Sequence, residues 1–275
     1  MNIYEKIAEL NRKNQPFVLA AIVKTAGSVP GKTGFKILVK EDGTSSGTVG
    51  GGELEKRVLE ECSSRLEEGE SGLQEYVLRE RDTGKEKIGN AQIIPMMCNG
   101  KVWIYYDVVK NRTPVYIFGG GHVGQALCYF LSKLDFQITV IDNREQFVGK
   151  EKNSYADKLI LSEYVGFARE FTPLKNAFTV IMTQGHSYDY DVLRTLYERK
   201  LPLKYIGVIA SRSKSAGLIK NLKKDFGEDV DTSHLYTPIG IDIGGNTESE
   251  IALSIAAEIQ AIRFGKNVQH LRRLN

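Results

Sequence analysis

The chain has 275 residues, with 37 Lys or Arg and 34 Asp or Glu side chains, so its formal net charge is only +3. This length predicts two domains, and the small net charge argues against a nucleic-acid partner. No apolar run approaches the ~20 residues that a membrane span needs. The N-terminus carries Glu5 and Glu9 and is unlike a signal peptide. We therefore expect a cytoplasmic protein without a membrane contact.

The first half of the chain has the pattern of an α+β domain. A short helix from Ile3 should end near Asn14, and two strands should follow at Phe17–Gly27 and 34–43. The segment SSGTVGGG is expected to be a loop that leads into a helix, whose apolar stripe is Leu54, Val58, Cys62 and Leu66. Two further strands are predicted within 74–81 and 101–109.

A polar, proline-containing stretch, KNRTP, marks the predicted domain boundary. The domains are therefore expected at 1–110 and 114–275. After the boundary, strands and helices alternate, which predicts a Rossmann-like, doubly wound parallel sheet beside the smaller N-terminal α+β domain. The last helix should follow the capping box of Thr247 and Glu250. Strands are predicted at 115–118, 137–141, Lys158–Leu161, 177–182 and 204–209, with helices beginning near His122, Glu163, Tyr188 and Arg212.

Gly119, Gly121 and Gly124 form a G-x-G-x-x-G motif between a predicted strand and a predicted helix. Such glycines allow a tight turn and let a pyrophosphate approach the helix N-terminus. Asp142, at the end of the next strand, is placed to bind a ribose hydroxyl. Arg144 could instead meet a 2′-phosphate, so NAD and NADP both remain open. The alternative is that the turn serves packing alone.

Other polar residues follow strands of the same predicted sheet, where ligands bind in such folds. His122 lies within the glycine motif and could bind a phosphate or polarise a substrate, or simply cap the loop. Gly185 and His186 follow another strand, and His186 is either a general base or a helix cap. Arg212 begins a helix beside Ser211, which suits an anionic ligand or ordinary capping.

The N-terminal half has a glycine run of its own, Gly50, Gly51 and Gly52, directly before a helix. Consecutive glycines can turn their N–H groups toward one point and form an anion nest. Glu53 and Glu55 lie in the first turn of that helix, where a carboxylate is favourable. With the glycine-rich loop of 25–34, this segment could cradle a phosphate-bearing, pterin-like group. The glycines could equally serve tight turns only.

The three cysteines are scattered, so neither a disulfide framework nor a structural metal site is predicted. Cys62 and Cys128 fall on apolar helix faces. Cys98 lies beside the Asn99-Gly100 turn, which leaves its thiol potentially accessible. The alternative is a buried, inert cysteine.

Several motifs together resemble the XdhC/CoxI family. AGSVPGKTG and GTVGGGELE resemble its N-terminal signature; YIFGGGHVGQAL, TQGHSYDYDVL, YIGVIASRSK and PIGIDIGGNTESE resemble its C-terminal Rossmann domain in order and spacing. The resemblance covers nearly the whole chain. It implies a protein that binds the molybdenum cofactor (molybdopterin), protects it while a cysteine desulfurase installs a sulfur, and helps to insert it into a xanthine-dehydrogenase-type apo-enzyme.

The resemblance also implies a set of cofactor-binding residues. By motif they are Gly27, Ser28, Gly50, Gly51, Gly52, Glu53, Gly119, Gly121, His122, Gly124, Asp142, Gly185 and His186. Two positions depart from the family pattern. Lys32 follows Pro30-Gly31 where an arginine is usual, so a point charge would replace a planar fork. Asn99 stands in a usual Cys-Gly-Gly run, and any role of Cys98 in holding molybdenum or passing sulfur is a hypothesis.

These observations favour a cofactor-binding chaperone over a catalyst. Two alternatives remain: an NAD(P)-dependent oxidoreductase that uses His186 or His122 as its acid–base group, and a nucleotide-sensing docking module. Two small domains with a short link would leave a cleft, and we expect a homodimer to complete it.

Overall fold

The computed structural model describes residues 2–80, 87–174 and 176–269; the side chains of 87, 88, 186 and 187 lie outside the described part. The chain separates into two compact units, Met1–Asn111 and Arg112–Asn275. None of the helices in these described ranges is long and apolar enough to cross a membrane.

The N-terminal unit is a seven-stranded sheet with helices packed on it, as the α+β pattern predicts. The strand order is β3-β2-β1-β7-β4-β6-β5, and the pairs are antiparallel except for β4 with β6. The elements are α1 Ile3–Lys13, β1 Phe17–Gly27, β2 Lys36–Lys40, β3 Ser45–Gly47, α2 Gly52–Glu68, β4 Gly72–Arg79, β5 Lys87–Ile88, β6 Ala91–Pro95 and β7 Gly100–Val109.

Helix α2 covers one face of this sheet. Leu54, Val58 and Cys62 recur every four residues along it, and all three side chains are fully buried in one core cluster with Ile104 and Tyr106 of β7. Burial of side chains such as Leu54 and Val58 contributes about 1.5–3 kcal/mol each. The apolar stripe thus fixes α2, and with it the glycine run at its start.

The prediction for residues 45–52 was partly wrong. Ser45–Gly47 is a short edge strand that pairs with β2, and only Thr48–Gly51 is loop. Strands β5 and β6 were not predicted, because segments of two and five residues are too short for a periodic pattern.

The C-terminal unit has a six-stranded sheet in which every pair is parallel. Its order, β10-β9-β8-β11-β12-β13, reverses between β8 and β11, which is where Rossmann-type sheets bind ligands. The predicted fold class is confirmed. The elements are β8 Thr113–Phe118, α3 His122–Ser132, β9 Phe136–Asp142, β10 Lys158–Leu161, α4 Tyr164–Glu170, β11 Ala177–Ile181, α5 His186–Glu198, β12 Leu203–Val208, α6 Arg212–Phe226, β13 Leu235–Tyr236 and α7 Glu248–Arg263.

The central strands of this sheet are covered on both faces, so they appear in the sequence as apolar runs without alternation. All five residues of β11 are buried. The capping box of Thr247 and Glu250 starts α7 as predicted. Helix α5 begins at His186, two residues earlier than expected, and the two-residue strand β13 was not predicted.

Candidate functional site

Three loops of the N-terminal unit meet at one end of its sheet: 27–34, 48–52 and 96–100. The backbone N–H of Ser28 donates to the carbonyl of Asn99 at 3.2 Å. A side chain could not fit between the first two loops, because a Cβ on Gly50 would lie 2.7 Å from the nitrogen of Gly31. We call this arrangement the Cys98 loop cluster.

The glycines of this cluster leave open space on one side. Gly50, Gly51 and Gly52 all have positive φ, at 122°, 79° and 64°, a region that L side chains rarely adopt. A Cβ built on Gly51 would meet nothing within 4 Å, whereas one on Gly52 would lie 3.5 Å from the Cε of Met96. The backbone at Gly51 is therefore exposed to an approaching ligand.

The predicted anion nest is largely filled by the protein itself. Oε2 of Glu55 accepts hydrogen bonds from the Thr48 hydroxyl at 2.5 Å, the Val49 amide at 3.1 Å and the Gly51 amide at 3.2 Å. The bond from Thr48, followed by those from the two amides, outweighs burial and lowers the pKa of Glu55. The amide of Gly50 donates to the Thr48 hydroxyl at 3.0 Å. A phosphate would have to displace Glu55 to use these amides.

Cys98 lies in the third loop of the cluster, two residues before β7. Its side chain is half-buried and packs beside the core of the N-terminal unit, as do Val29 and Met96. The other two thiols differ, since burial raises the pKa of both Cys62 and Cys128 to about 12. Cys98 is thus the partly accessible cysteine of the three, as its sequence context predicts.

The charged candidates of this half are on the surface. Ser28 and Lys32 are exposed on the first loop. Glu53 is half-buried in the first turn of α2, with an oxygen 3.6 Å from Arg57 Nε. Ser28 and Lys32 therefore offer a hydroxyl and an ammonium group that a phosphate could reach.

In the C-terminal unit, two glycines of the dinucleotide motif are required by packing. A Cβ on Gly119 would lie 2.2 Å from the carbonyl oxygen of Met182, and one on Gly124 would lie 2.3 Å from the carbonyl oxygen of Gly119. Gly121 is different: a Cβ there would meet only Nη2 of Arg144, at 3.9 Å. No side chain caps α3 at Gly121. This glycine is the one that faces open space.

Asp142 does not have the position expected of a ribose-binding acid. Its carboxylate is fully buried and accepts hydrogen bonds from the Gly120 amide at 2.7 Å and from the amide, Nε and Nη2 of Arg144 at 2.8–2.9 Å. Burial alone raises the pKa of Asp142, but the bonds from Arg144 and Gly120 prevail and lower it. The acid serves the turn rather than an open crevice.

Asn153 supports the same turn. It is 1% exposed, and its Nδ2 donates to the carbonyls of Gly120 at 3.1 Å and Phe147 at 2.6 Å. Asn153 was not predicted, because it lies 33 residues from Gly120 and no local pattern marks it. Together with Asp142 it fixes Gly120 from both its N–H and its C=O.

The loop after β11 is closed by Asp189. Its Oδ1 accepts hydrogen bonds from the Thr183 amide at 2.9 Å and the Thr183 hydroxyl at 2.6 Å, and the residue is 5% exposed. Gly185 is the residue before α5, and no side chain caps that helix. His186 is the first residue of α5, but its side chain lies outside the described part, so its predicted role as a base stays a prediction.

The remaining candidates lie at helix starts. His122 is the exposed first residue of α3. Ser211 caps α6 by accepting from the Lys214 amide at 3.4 Å. Arg212 is 93% exposed and lies 4.0 Å from Asp242. No group of three His, Cys, Asp or Glu side chains that could hold a metal ion occurs in the described part of the chain.

The fold and these two sites define a Rossmann-type protein with a glycine-rich α+β companion unit. Residues 115–259 match the model of the XdhC Rossmann domain, and residues 10–77 match that of the XdhC and CoxI family. The chain belongs to the XdhC and CoxI family.

Two curated relatives and one solved structure are similar over nearly the whole chain. The uncharacterized protein YqeB of Escherichia coli strain K12 is 30% identical over 96% of this chain, which spans about half (46%) of that protein. A protein of Bacillus subtilis strain 168, named as one of the probable subunits of xanthine dehydrogenase, is 22% identical, with 94% of this chain and 96% of that protein covered. A crystal structure described as a xanthine dehydrogenase from Bacillus halodurans superposes with a TM-score of 0.53 at 22% identity, over 97% of both chains, and shares the fold.

Proposed function

We propose that this protein is an accessory factor for a xanthine-dehydrogenase-type molybdenum hydroxylase. In this role it binds the molybdopterin cofactor and assists its sulfuration and insertion. Membership of the XdhC and CoxI family supports the accessory role, and the Bacillus subtilis relative carries a xanthine dehydrogenase name. The partners would be the apo-enzyme and a cysteine desulfurase, with the protein acting as a homodimer.

The Cys98 loop cluster is the observation that carries the proposal. It combines a half-buried thiol with a backbone that is open at Gly51. A thiolate is a soft ligand and also a sulfur nucleophile, which suits a molybdenum centre that must receive sulfur. The open position at Gly51 suits the close approach of a flat ring.

The phosphate of the cofactor fits this cluster less simply. The amides of Val49 and Gly51 are bound to Glu55, so they are not available while that carboxylate stays in place. The exposed Ser28 and Lys32 are the groups that would bind the phosphate. When bound, the cofactor supplies the molybdenum that accepts the terminal sulfur; the chain supplies the thiol, the hydroxyl and the ammonium group that hold it.

The chain is unsuited to oxidise xanthine by itself. Such hydroxylases pass electrons through iron–sulfur clusters, which need four cysteine ligands each. This sequence contains three cysteines, and two of them are buried inside separate units. A role in maturation of the hydroxylase is therefore better supported than catalysis of the oxidation.

The nicotinamide alternative has weaker support. A dehydrogenase of this fold needs a carboxylate that is free to bind the ribose, and the Asp142 carboxylate is buried and bonded to Arg144. A docking module that binds nucleotide without chemistry would face the same obstacle.

Calorimetric titration of the full chain with molybdopterin cofactor, NAD and NADP tests the proposal. We expect saturable binding of the cofactor and no binding of NAD. Cys98→Ser should lower the activation of a co-expressed xanthine-dehydrogenase-type enzyme, while Cys128→Ala, which removes a buried thiol from the other unit, should leave it unchanged. Binding of a nicotinamide dinucleotide without the cofactor would refute the accessory role.

A further inference from the structure

A cavity of about 420 Å³ lies in the N-terminal unit, between α1 and the β2–β3 hairpin. We call it the α1–hairpin cavity. None of the residues that line it belongs to the Cys98 loop cluster. Its volume falls within the ~300–1,000 Å³ of small-molecule sites. No local sequence pattern marks this cavity, because its walls come from separate elements.

Both walls are held in place by local bonds. Asn2 and Glu5 form a capping box at the start of α1. In the hairpin turn, Oδ1 of Asp42 accepts from the Thr44 amide at 2.9 Å and from the Thr44 hydroxyl at 2.6 Å. The cavity is therefore preformed, which lowers the entropy lost on binding a ligand.

The floor is apolar. Leu10 from α1 and Leu38 from β2 both line the cavity and belong to one small core cluster. They are 6% and 2% exposed, so a ligand would contact their remaining surface without opening the core. A small hydrophobic group is the part of a ligand that such a floor accepts.

The rim is basic. Lys6, Lys13 and Lys40 all line the cavity. Lys13 is paired with Glu9 at 2.5 Å, and Lys40 with Asp42 at 3.1 Å. Lys6 has no carboxylate within 4 Å among the residues that the structure describes, so its charge is the one left to attract an anion.

Lys6 and Ser46 together present hydrogen-bond donors. Nζ of Lys6 donates to Oγ of Ser46 at 2.6 Å. An ammonium group has three donors, so two remain. Because Ser46 uses a lone pair in this bond, its own hydroxyl hydrogen is free to donate as well. A cluster of donors beside a positive charge is what a phosphate oxygen requires.

We propose that the α1–hairpin cavity binds a small phosphate ester. Its phosphate is held by Lys6 and Ser46, and its apolar part lies on Leu10 and Leu38. A dianion suits this rim better than a carboxylate, since three lysines are offset by Glu9 alone within the lining. The site is independent of the proposed accessory function and takes a different ligand.

The test uses phenyl phosphate as a probe, titrated into the full chain and followed by calorimetry and by amide NMR shifts. Saturable binding is expected, with shifts in α1 and the hairpin, and methyl phosphate should bind at least tenfold more weakly. Lys6→Gln and Ser46→Ala should each weaken phenyl phosphate at least tenfold. The matched control is Lys36→Gln on β2, whose Nζ contacts the Gly34 carbonyl outside the cavity.

The proposal is overturned by any of three results. They are the absence of saturable binding, unchanged affinity in both Lys6→Gln and Ser46→Ala, and an equal loss in Lys36→Gln, which would indicate unspecific attraction to positive charge. Circular dichroism of each variant checks that it is folded, and two independent variants keep the result decisive if one of them is not.

Discussion

The carboxylate of Asp142 and the guanidinium of Arg144 form a two-point pair, with Nε to Oδ1 at 2.9 Å and Nη2 to Oδ2 at 2.8 Å. The acid is fully buried, while the arginine side chain is 26% exposed. In an ordinary dinucleotide site this carboxylate would bind ribose. Here the pair covers the acid and turns a positive group toward the open side of Gly121, so this turn favours an anion over a sugar.

Arg144→Ala should destabilise the C-terminal unit. It leaves the Asp142 carboxylate buried, with the Gly120 and Arg144 amides as its remaining described partners. Loss of one partner of a buried pair costs about 3–5 kcal/mol, and the partial exposure of Arg144 favours the lower end. Urea unfolding measures the change. Arg57→Ala, which breaks two exposed pairs on α2, should cost less than about 1 kcal/mol. Equal effects of the two variants would contradict the role given to the buried pair.

Two glycine substitutions separate packing from ligand binding in the dinucleotide turn. In Gly124→Ala the new Cβ would lie 2.3 Å from a backbone oxygen, so the turn must shift, at a cost of about 1–3 kcal/mol. In Gly121→Ala the nearest atom is 3.9 Å away, and φ is −66°, so stability should be unchanged.

The comparison is made by thermal unfolding and by anion binding. If Gly121 faces a ligand, Gly121→Ala should keep the melting temperature of the wild type while it weakens binding. A loss of stability in Gly121→Ala as large as that in Gly124→Ala would show that both positions serve packing alone.

Much of the fold was predictable, because local periodicity indicates it. The order of strands and helices after residue 112 follows from apolar runs that alternate with amphipathic segments, and the glycine motif marks the first turn. Strands β3, β5, β6 and β13 were missed for the opposite reason: at two to five residues they carry too little pattern and depend on pairing with distant segments.

The candidate site was predictable only in part. Glycine spacing indicated where the backbone turns, and the loops around Cys98 do come together. What the sequence could not indicate is which groups occupy the freed amides. Glu55 and Asp142 were interpreted as first-turn and ribose-binding acids, but the positive φ angles of Gly50–Gly52 and the fold around β9 direct them inward. Such contacts depend on three-dimensional geometry that residue spacing does not encode.

Glu258 predicts an unusual pH dependence. Its Oε1 accepts hydrogen bonds from the Tyr205 hydroxyl at 2.6 Å and from the Gly240 amide at 3.0 Å, inside the C-terminal unit. Burial raises the pKa of this carboxyl above its usual value. A raised folded pKa means that this stabilisation is full below the unfolded pKa, near ~4.3, and is lost as pH rises through the folded pKa.

Glu258→Gln keeps both bonds through the amide oxygen and removes the ionisation. We therefore expect the variant to be at least as stable as the wild type at pH 8, and the difference to diminish below about pH 4.3. Urea unfolding at a series of pH values measures it. A variant less stable than the wild type at every pH would show that the charged form is the one the fold prefers.

Glu55→Ala tests the glycine run before α2. Removing the carboxylate frees the amides of Val49 and Gly51 and the hydroxyl of Thr48, which lie in a partly exposed loop. Loss of these charge-assisted bonds should cost about 1–3 kcal/mol in the free protein. The same change opens the nest, so a phosphate-bearing ligand should bind more tightly than it does to the wild type. Glu60→Ala, on the exposed face of the same helix, is the control for charge. If Glu55→Ala weakens cofactor binding while Glu60→Ala does not, the carboxylate is needed to shape the loop, and the phosphate is bound by Ser28 and Lys32 instead.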